Sequence, residues 1–207
     1  HGLNGTPMLQ WDMSKEQVHN VIQYIKTFAP KVWEGKGKKL GEELVVSKDP
    51  YGPSHKSFAI QKGKEVYHLV AQCQSCHRAY ASKKELNQIS LKVNNEEMTE
   101  FDEDMYKIKL QESEHGYKVL PPDFTFHSLR SVGTMKEKPG IKDPERIALN
   151  DLYLRILAGA GGAAMPSWKD VLQDNEIWAV AYYVRYLQTF TKDQAKRKKF
   201  LDSIEKN

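Results

Sequence analysis

The 207-residue sequence has only two cysteines, no long apolar run and little excess of either charge. A zinc site would need further cysteines, or a pair of histidines at ligand spacing. No apolar stretch approaches the length that crosses a bilayer, so the sequence predicts no membrane span. A net charge of +4 is too small to indicate nucleic acid as a partner. With 40% hydrophobic and 28% charged residues, the composition is typical of a globular protein.

The sequence also lacks an initiator methionine and a signal peptide, since it opens at His1. We therefore expect a processed or truncated product. Its length suits one sizeable domain with an additional part, or two small domains.

One short motif carries a specific chemistry. Cys73, Cys76 and His77 form a C-x-x-C-H run, which is typical of covalent c-type haem attachment. Two thiols three positions apart can each add to one vinyl group on the same porphyrin edge, and the adjacent histidine can offer a nitrogen to the iron. A thioredoxin-like dithiol would instead need a strand before the motif and a helix after it. We therefore predict haem attachment here, which leaves no thiol for a disulfide.

Two stretches near opposite ends of the chain share one layout. Each has a loop from glycine through methionine to tryptophan, with Met8 in the first copy and Met165 in the second. An amphipathic helix follows each loop, and Ser14 is a plausible N-cap of the first one. The apolar positions of the two helices are Val18, Val21, Ile22 and Ile25, and Ile177, Val180, Ala181 and Val184. This self-similarity predicts an internal repeat, although only the second copy has a C-x-x-C-H motif upstream.

Two further helices are predicted between the repeats. One runs from about Phe58 into Cys73 and contains Gly63. An interior glycine costs roughly 1 kcal/mol against alanine, so we expect Gly63 to have a packing role, which is to permit close approach of another helix. Its expected apolar face is Phe58, Lys62 (through its stem), Val66, Leu69 and Val70. Asp143 opens the other helix, which the glycines from Gly159 to Gly162 end. Its expected apolar residues are Leu152, Tyr153, Ile156 and Leu157.

Residues 81–120 are polar, and we expect them to be irregular. Eight acidic residues lie between Asn94 and Glu114, against two lysines. The alternation from Tyr106 to Leu110 favours one short strand or hairpin arm. We interpret this stretch either as a solvated surface excursion or as an added lobe that docks a partner. Both interpretations stay open. The basic run Lys196–Lys199 is interpreted as a solvated helix face.

This order of features resembles that of class I c-type cytochromes, especially bacterial tandem (di-haem) cytochrome c proteins. The resemblance implies an all-α fold, a cytochrome c-like helical module around covalent haem, with an irregular acidic insertion. It implies that residues 1–28 are the C-terminal part of a first module and residues 29–57 a linker. Residues 58–190 would form a complete module with the insertion 84–120, before a basic C-terminal tail at 191–207.

The family also implies the iron ligands. A late loop supplies a methionine to the haem face opposite the histidine, so His77 and Met165 would be the axial pair. Met8 would be a possible ligand of a second haem attached upstream. Core packing is the alternative role for Met165. Other possible donors, none in a comparable loop, are Met98, Met105, Met135, His68, His115 and His127.

Two more features concern the fit to the family. Its N-terminal and C-terminal helices cross near a glycine and an aromatic residue, which Gly63, Tyr67 and Tyr183 match. Its frequent glycine-rich stretch after the haem histidine is replaced in this chain by residues 78–81 (Arg-Ala-Tyr-Ala). The haem edge is therefore expected to be covered differently at that point.

A haem held by one imidazole and one thioether has a raised reduction potential and no open coordination position, which suits single-electron transfer. The resemblance implies redox protein partners, among them a multi-subunit respiratory oxidoreductase such as a nitrogen-oxide molybdenum enzyme. It also implies a periplasmic or other extracytoplasmic location. The alternative function is a haem enzyme, either peroxidase-like or thiosulfate- or nitrite-converting. Such an enzyme would need an open or labile iron position and a distal acid or base.

Overall fold

The computed structural model describes residues 8–34, 41–130, 132–133 and 143–206. The α-helices are α1 (Lys15–Lys26), α2 (Pro30–Trp33), α3 (Lys56–Glu65), α4 (Lys83–Asn94), α5 (Pro144–Ala158), α6 (Asp174–Leu187) and α7 (Gln194–Glu205). Shorter helical turns are Pro53–His55, the π-helical Val66–Val70, Cys73–Ser75 and Gln188–Lys192. Among these residues the only sheet is a two-stranded antiparallel ladder of β1 (Gln111–Glu112) and β2 (Lys118–Val119). The predicted all-α fold is confirmed.

The core is organised around the crossing of α3 and α6. Gly63 lies at this crossing, where an added Cβ would overlap the carbonyl group of Ala179 and lie 2.7 Å from Cβ of Tyr183. The ring of Tyr67 packs against that of Tyr183, with centroids 5.6 Å apart. The predictions that Gly63 permits close approach of another helix, and that Tyr67 and Tyr183 lie at the crossing, are therefore confirmed.

The buried face of α3 differs from the predicted one. Phe58 is 63% exposed and Val70 is 42% exposed, whereas Ala59 and Gly63 are buried. The helix packs through its small residues because the backbone of α6 comes too close for large side chains to fit between. The π-helical turn at Val66–Val70 then shifts the helical phase, which carries Val70 away from the core.

Helix α5 follows its sequence pattern closely. The side chain of Asp143 caps it by accepting a hydrogen bond from the backbone N–H of Arg146 at 3.0 Å. The four apolar residues predicted for this helix are all buried. Against α6, the Tyr153 ring lies 4.7 Å from that of Trp178. Helix α5 thus provides the second wall of the core.

Helix α1 forms as its sequence predicts, but it buries no residue. Ser14 caps it, accepting a hydrogen bond from the backbone N–H of Gln17 at 3.2 Å. The four apolar positions of its face are 39–46% exposed. Their counterparts in α6 are all buried. Within the part of the chain that the structure describes, one copy of the repeat is therefore covered and the other is not.

The stretch predicted to be irregular begins with a helix. Helix α4 starts at a capping box in which Ser82 and Glu85 satisfy each other's backbone N–H groups. The irregular part begins only after Asn94, and the hairpin lies at residues 111–119, slightly beyond the expected arm. The expectation of an irregular 81–120 segment was therefore wrong for its first third, because reciprocal capping stabilises a helix that charge composition did not suggest.

Helix α7 carries the basic run near the C-terminus. Lys196, Lys198 and Lys199 are exposed, as expected for a solvated helix face. That expectation was wrong for Arg197, whose guanidinium pairs with Asp123. The opposite face packs on the core through Leu201 and Ile204. None of the described helices has the length and apolar character required to cross a membrane.

Candidate functional site

The C-x-x-C-H motif lies on a tight turn directly after the π-helical segment. Gln72 has a left-handed backbone (φ 47°), which ends the helix and starts the 3-10 turn Cys73–Ser75. The backbone N–H of His77 donates to the carbonyl of Cys73 at 2.9 Å, so the motif closes on itself. Cys73 and Cys76 are free, half-buried thiols. Burial raises the pKa of Cys73 to about 12, so this thiol is protonated at neutral pH.

The imidazole of His77 is held on two sides. Its Nδ1–H donates to the carbonyl of Pro122 at 3.3 Å. The ring of Phe124 stacks on it, with centroids 4.6 Å apart. Burial lowers the pKa of His77, which favours the neutral imidazole. With the proton on Nδ1, the Nε2 lone pair is available to a metal.

Met165 lies in a loop that is tied back to the end of α5. Gly159 has a positive φ of 71°, and a Cβ there would lie 2.6 Å from the backbone of Pro166. The hydroxyl of Ser167 donates to the carbonyl of Leu157 at 2.7 Å. The half-buried Met165 side chain packs against the same core cluster as Cys73. The structure therefore brings the loop that carries Met165 (residues 159–168, the methionine loop) and the C-x-x-C-H motif to the same hydrophobic core.

The acidic stretch touches the methionine loop. Glu114, in the turn between β1 and β2, accepts a hydrogen bond from the backbone N–H of Gly162 at 3.2 Å. Elsewhere in the stretch, Lys107 pairs with Asp104 and Lys109 with Asp102, each at 2.6 Å. These pairs neutralise part of the acidic charge. Docking of a partner at this stretch stays a prediction, testable by the salt dependence of electron transfer in charge-neutralised variants.

His68 is fully buried and uses both ring nitrogens. Its Nδ1–H donates to the carbonyl of Lys64 at 2.8 Å, and its Nε2 accepts from the backbone N–H of Tyr80 at 3.1 Å. Burial lowers its pKa to about 3, so the ring is neutral. This histidine therefore links α3 to the segment after the haem motif and has no nitrogen left for iron.

The other possible donors lie in different surroundings. Met98 and Met105 pack in a small second cluster with Leu86. His127 is exposed, and its Nδ1 accepts from the backbone N–H of Asp123 at 3.2 Å. His115 is exposed in the β1–β2 turn, and its Nε2 would lie 3.2 Å from a Cβ added at Gly162, in the loop that carries Met165. Met8 is 63% exposed and is not a member of the core cluster. Met135 lies outside the described residues.

Pro122 lies 45 residues after His77 in the chain, yet its backbone carbonyl contacts the His77 ring directly. The residue that holds it is Asp123, whose side chain is 4% exposed. Its acceptors face Arg78 and Arg197, and Arg197 lies in the predicted tail. No local sequence signal indicates this cluster, because its members are far apart in the chain.

The residues present fit a covalently attached haem. Two free thiols lie three positions apart, and the next residue is a neutral histidine with its Nε2 available. Met165 carries a thioether, a soft donor of the kind that prefers ferrous iron. No group of three or more His, Cys, Asp or Glu side chains among the described residues could hold a metal ion by itself.

Comparisons with known proteins concern the family and the fold of the chain. A family model described as cytochrome C oxidase, cbb3-type, subunit III matches residues 58–184. A solved chain of the reducing HAO-like protein complex of Kuenenia stuttgartiensis matches with a TM-score of 0.57 and 24% sequence identity. That match covers 90% of this chain and 67% of the other. At this identity the likeness concerns the fold alone. The comparison with curated proteins found no match.

Proposed function

Because this chain belongs to the cytochrome family described as cytochrome C oxidase, cbb3-type, subunit III, we propose that it carries single electrons through one haem held by His77 and Met165. Membership of the family means that haem c is bound covalently and that electron transfer is the general function. The finer points of the proposal are the axial ligand pair, the redox partners, the location and the number of haems.

The observation that carries the ligand proposal is the fixed orientation of His77. Its Nδ1–H donates to the carbonyl of Pro122 at 3.3 Å, which fixes the ring and leaves Nε2 as the nitrogen free to bind iron. Cys73 and Cys76 supply the thiols for attachment, and Met165 supplies a thioether from a loop tied to α5. An iron held by this imidazole and this thioether would have no open coordination position, and it would supply one-electron transfer between its ferrous and ferric states.

The attachment proposal is tested by removing the thiols. Cys73→Ser with Cys76→Ser should abolish haem staining of the denatured polypeptide, because only thioether bonds survive denaturation. Ser75→Ala, in the same turn, is the matched control and should leave staining unchanged. Staining that persists in the double variant would contradict attachment at this motif.

The location is part of the same proposal. Thioether formation needs reduced thiols, haem and a dedicated maturation system, which in bacteria acts outside the cytoplasmic membrane. We therefore place the protein in the periplasm or an equivalent compartment. The wild-type chain with an export leader should be stained, and the same chain retained in the cytoplasm should not. Equal haem attachment without export would contradict this location.

Among the described residues nothing covers the apolar face of α1, which supports a second cytochrome c module before this one. At matching positions of the repeat, Tyr24 is 66% exposed and Tyr183 is 2% exposed, and Phe28 is 70% exposed and Leu187 is 0% exposed. In the second copy α3 packs closely on α6 where Gly63 meets Ala179 and Tyr183. We infer that a helix of a preceding module covers α1 in the same way, and that Met8 is a ligand of its haem.

The number of modules can be measured directly. Protein purified from its natural source should show two haem additions in its intact mass, and its gene should encode a second C-x-x-C-H motif upstream of His1. A single haem addition and the absence of a second motif would contradict the inference. Haem staining of the 207-residue chain is unaffected by either result, so this test is separate from the attachment test.

The proposed partners are redox proteins that deliver or receive the electron. The support is the family's electron-transfer function together with a fold shared with a chain from a protein complex. A larger respiratory oxidoreductase, such as a molybdenum enzyme acting on nitrogen oxides, is the class of partner we propose.

A further inference from the structure

A buried ionic cluster lies beside the predicted haem ligand and has no part in the function proposed above. At its centre, Asp123 Oδ2 lies 2.8 Å from a guanidinium nitrogen of Arg197 and 3.7 Å from one of Arg78. Its Oδ1 accepts from the hydroxyl of Tyr80 at 3.0 Å and from that of Thr125 at 2.6 Å. Although burial opposes ionisation, hydrogen bonds from Thr125 and Arg197 hold the pKa of Asp123 below its usual value.

The place of Asp123 in the chain gives the cluster its significance. The residue before it, Pro122, accepts the Nδ1–H of His77, and the residue after it, Phe124, stacks on the same ring. The backbone N–H of Phe124 also donates to the hydroxyl of Tyr80 at 2.8 Å. Both contacts to the His77 ring therefore come from the two covalent neighbours of Asp123. Interactions that hold Asp123 in place therefore also hold Pro122 and Phe124 against the His77 ring.

Helix α7 contributes to this cluster from the far end of the chain. Arg197 also donates through Nε to the hydroxyl of Thr125 at 2.9 Å. Glu205, the last residue of α7, pairs with Arg78 at 2.5 Å. Arg78 directly follows His77. The cluster thus connects the C-x-x-C-H motif, residues 123–125 and helix α7 to one another.

We propose that Asp123 and Arg197 are positioning residues for His77, which hold the Pro122 carbonyl and the Phe124 ring against the imidazole and thereby set the reduction potential of the haem. This proposal rests on His77 being the iron ligand. A firm hydrogen bond from Nδ1 raises the basicity of the ligating imidazole. A more basic ligand favours ferric iron, so a loosened Pro122 contact raises the potential.

Two variants separate positioning from simple electrostatics. Asp123→Asn removes a negative charge, and Arg197→Gln removes a positive charge. Charge alone would raise the potential in the first variant and lower it in the second. Loosening of the Pro122 contact raises the potential in both. We therefore expect both variants to shift the potential upward. Arg197→Lys, which keeps the cation, should restore most of the wild-type value.

The matched control is Lys198→Gln, on the exposed side of α7 and next to Arg197 in sequence. It removes the same charge without touching Asp123, so its potential should stay close to that of the wild type. A second readout is solvent exchange of the His77 Nδ1 proton, followed by NMR in the reduced protein. Exchange should accelerate roughly tenfold or more in both cluster variants, because both weaken the hydrogen bond between the charged Asp123 and Arg197 side chains. A hydrogen bond to a charged group contributes about that factor or more to an equilibrium.

Opposite shifts in the two variants, or unchanged potentials with unchanged proton exchange, would overturn the proposal. If Asp123→Asn does not fold, Arg197→Gln decides alone, since an upward shift is the result that charge removal does not produce. Failure of the proposed function would look different. The wild-type protein would then lack a haem spectrum or a low-spin His/Met signature, before any variant is compared.

Discussion

Replacing Met165 by alanine should convert the low-spin, six-coordinate haem to a form with a substantial high-spin fraction. The thioether is the predicted sixth ligand, and alanine offers no donor atom. The weak charge-transfer absorption of the sulfur–iron bond should disappear. The reduction potential should fall by on the order of 0.1 V, a modest part of the roughly 0.8 V over which axial ligands set haem potentials. Absorption spectra of both oxidation states and a redox titration measure these changes.

The control for this variant is Met98→Ala. Met98 is half-buried in the second cluster, away from the methionine loop, so its removal creates a packing defect without affecting the ligand. Its spectrum should be that of the wild type. An unchanged spectrum in Met165→Ala would show that another residue binds the iron.

The same variant separates electron transfer from haem enzyme chemistry. An enzyme needs an open or labile coordination position, so the wild type would bind carbon monoxide rapidly. We expect slow or no binding in the wild type and rapid binding in Met165→Ala. Rapid binding in the wild type would instead favour the peroxidase-like or thiosulfate- or nitrite-converting alternative.

Features encoded by neighbouring residues were predictable from sequence. The C-x-x-C-H motif, the cap of α5 at Asp143 and the apolar periodicity of α1 all depend on spacings within one or a few turns. The single apolar face predicted for α6 was wrong, because every residue from Ile177 to Val184 is buried. Helix α4 was predictable in the same way, since Ser82 and Glu85 have the spacing of a capping box. The prediction instead treated residues 81–120 as one irregular stretch, because acidic residues are concentrated after Asn94.

Features that depend on distant neighbours were not predictable. The buried face of α3 depends on how closely α6 approaches, and a periodic pattern that counts large apolar residues favours Phe58 over Ala59. The ion pair between Asp123 and Arg197 joins residues 74 positions apart. Neither residue has a local pattern that indicates the other. The part of the site that orients His77 therefore emerges only from the fold.

Replacing Gly63 by alanine should destabilise the module strongly, although alanine is the better helix former. The new Cβ would overlap the backbone carbonyl of Ala179 and lie 2.7 Å from Cβ of Tyr183. A backbone group cannot rotate away as a flexible side chain can, so α3 and α6 must separate. Overpacking costs about 1–3 kcal/mol, and an overlap with backbone places this case at the upper end of that range. The gain in helix propensity offsets up to roughly 1 kcal/mol of that cost.

We therefore expect the free energy of unfolding to fall by about 2 kcal/mol, measured as a lower midpoint of denaturant unfolding with an unchanged slope. Gly41→Ala is the matched control, because no atom lies within 4 Å of its added Cβ. That variant should stay within about 0.5 kcal/mol of the wild type. Gly63→Val should be less stable than Gly63→Ala, since the larger side chain drives the two helices further apart. A Gly63→Ala protein as stable as the wild type would mean that the α3–α6 crossing is looser than the contact with Ala179 indicates.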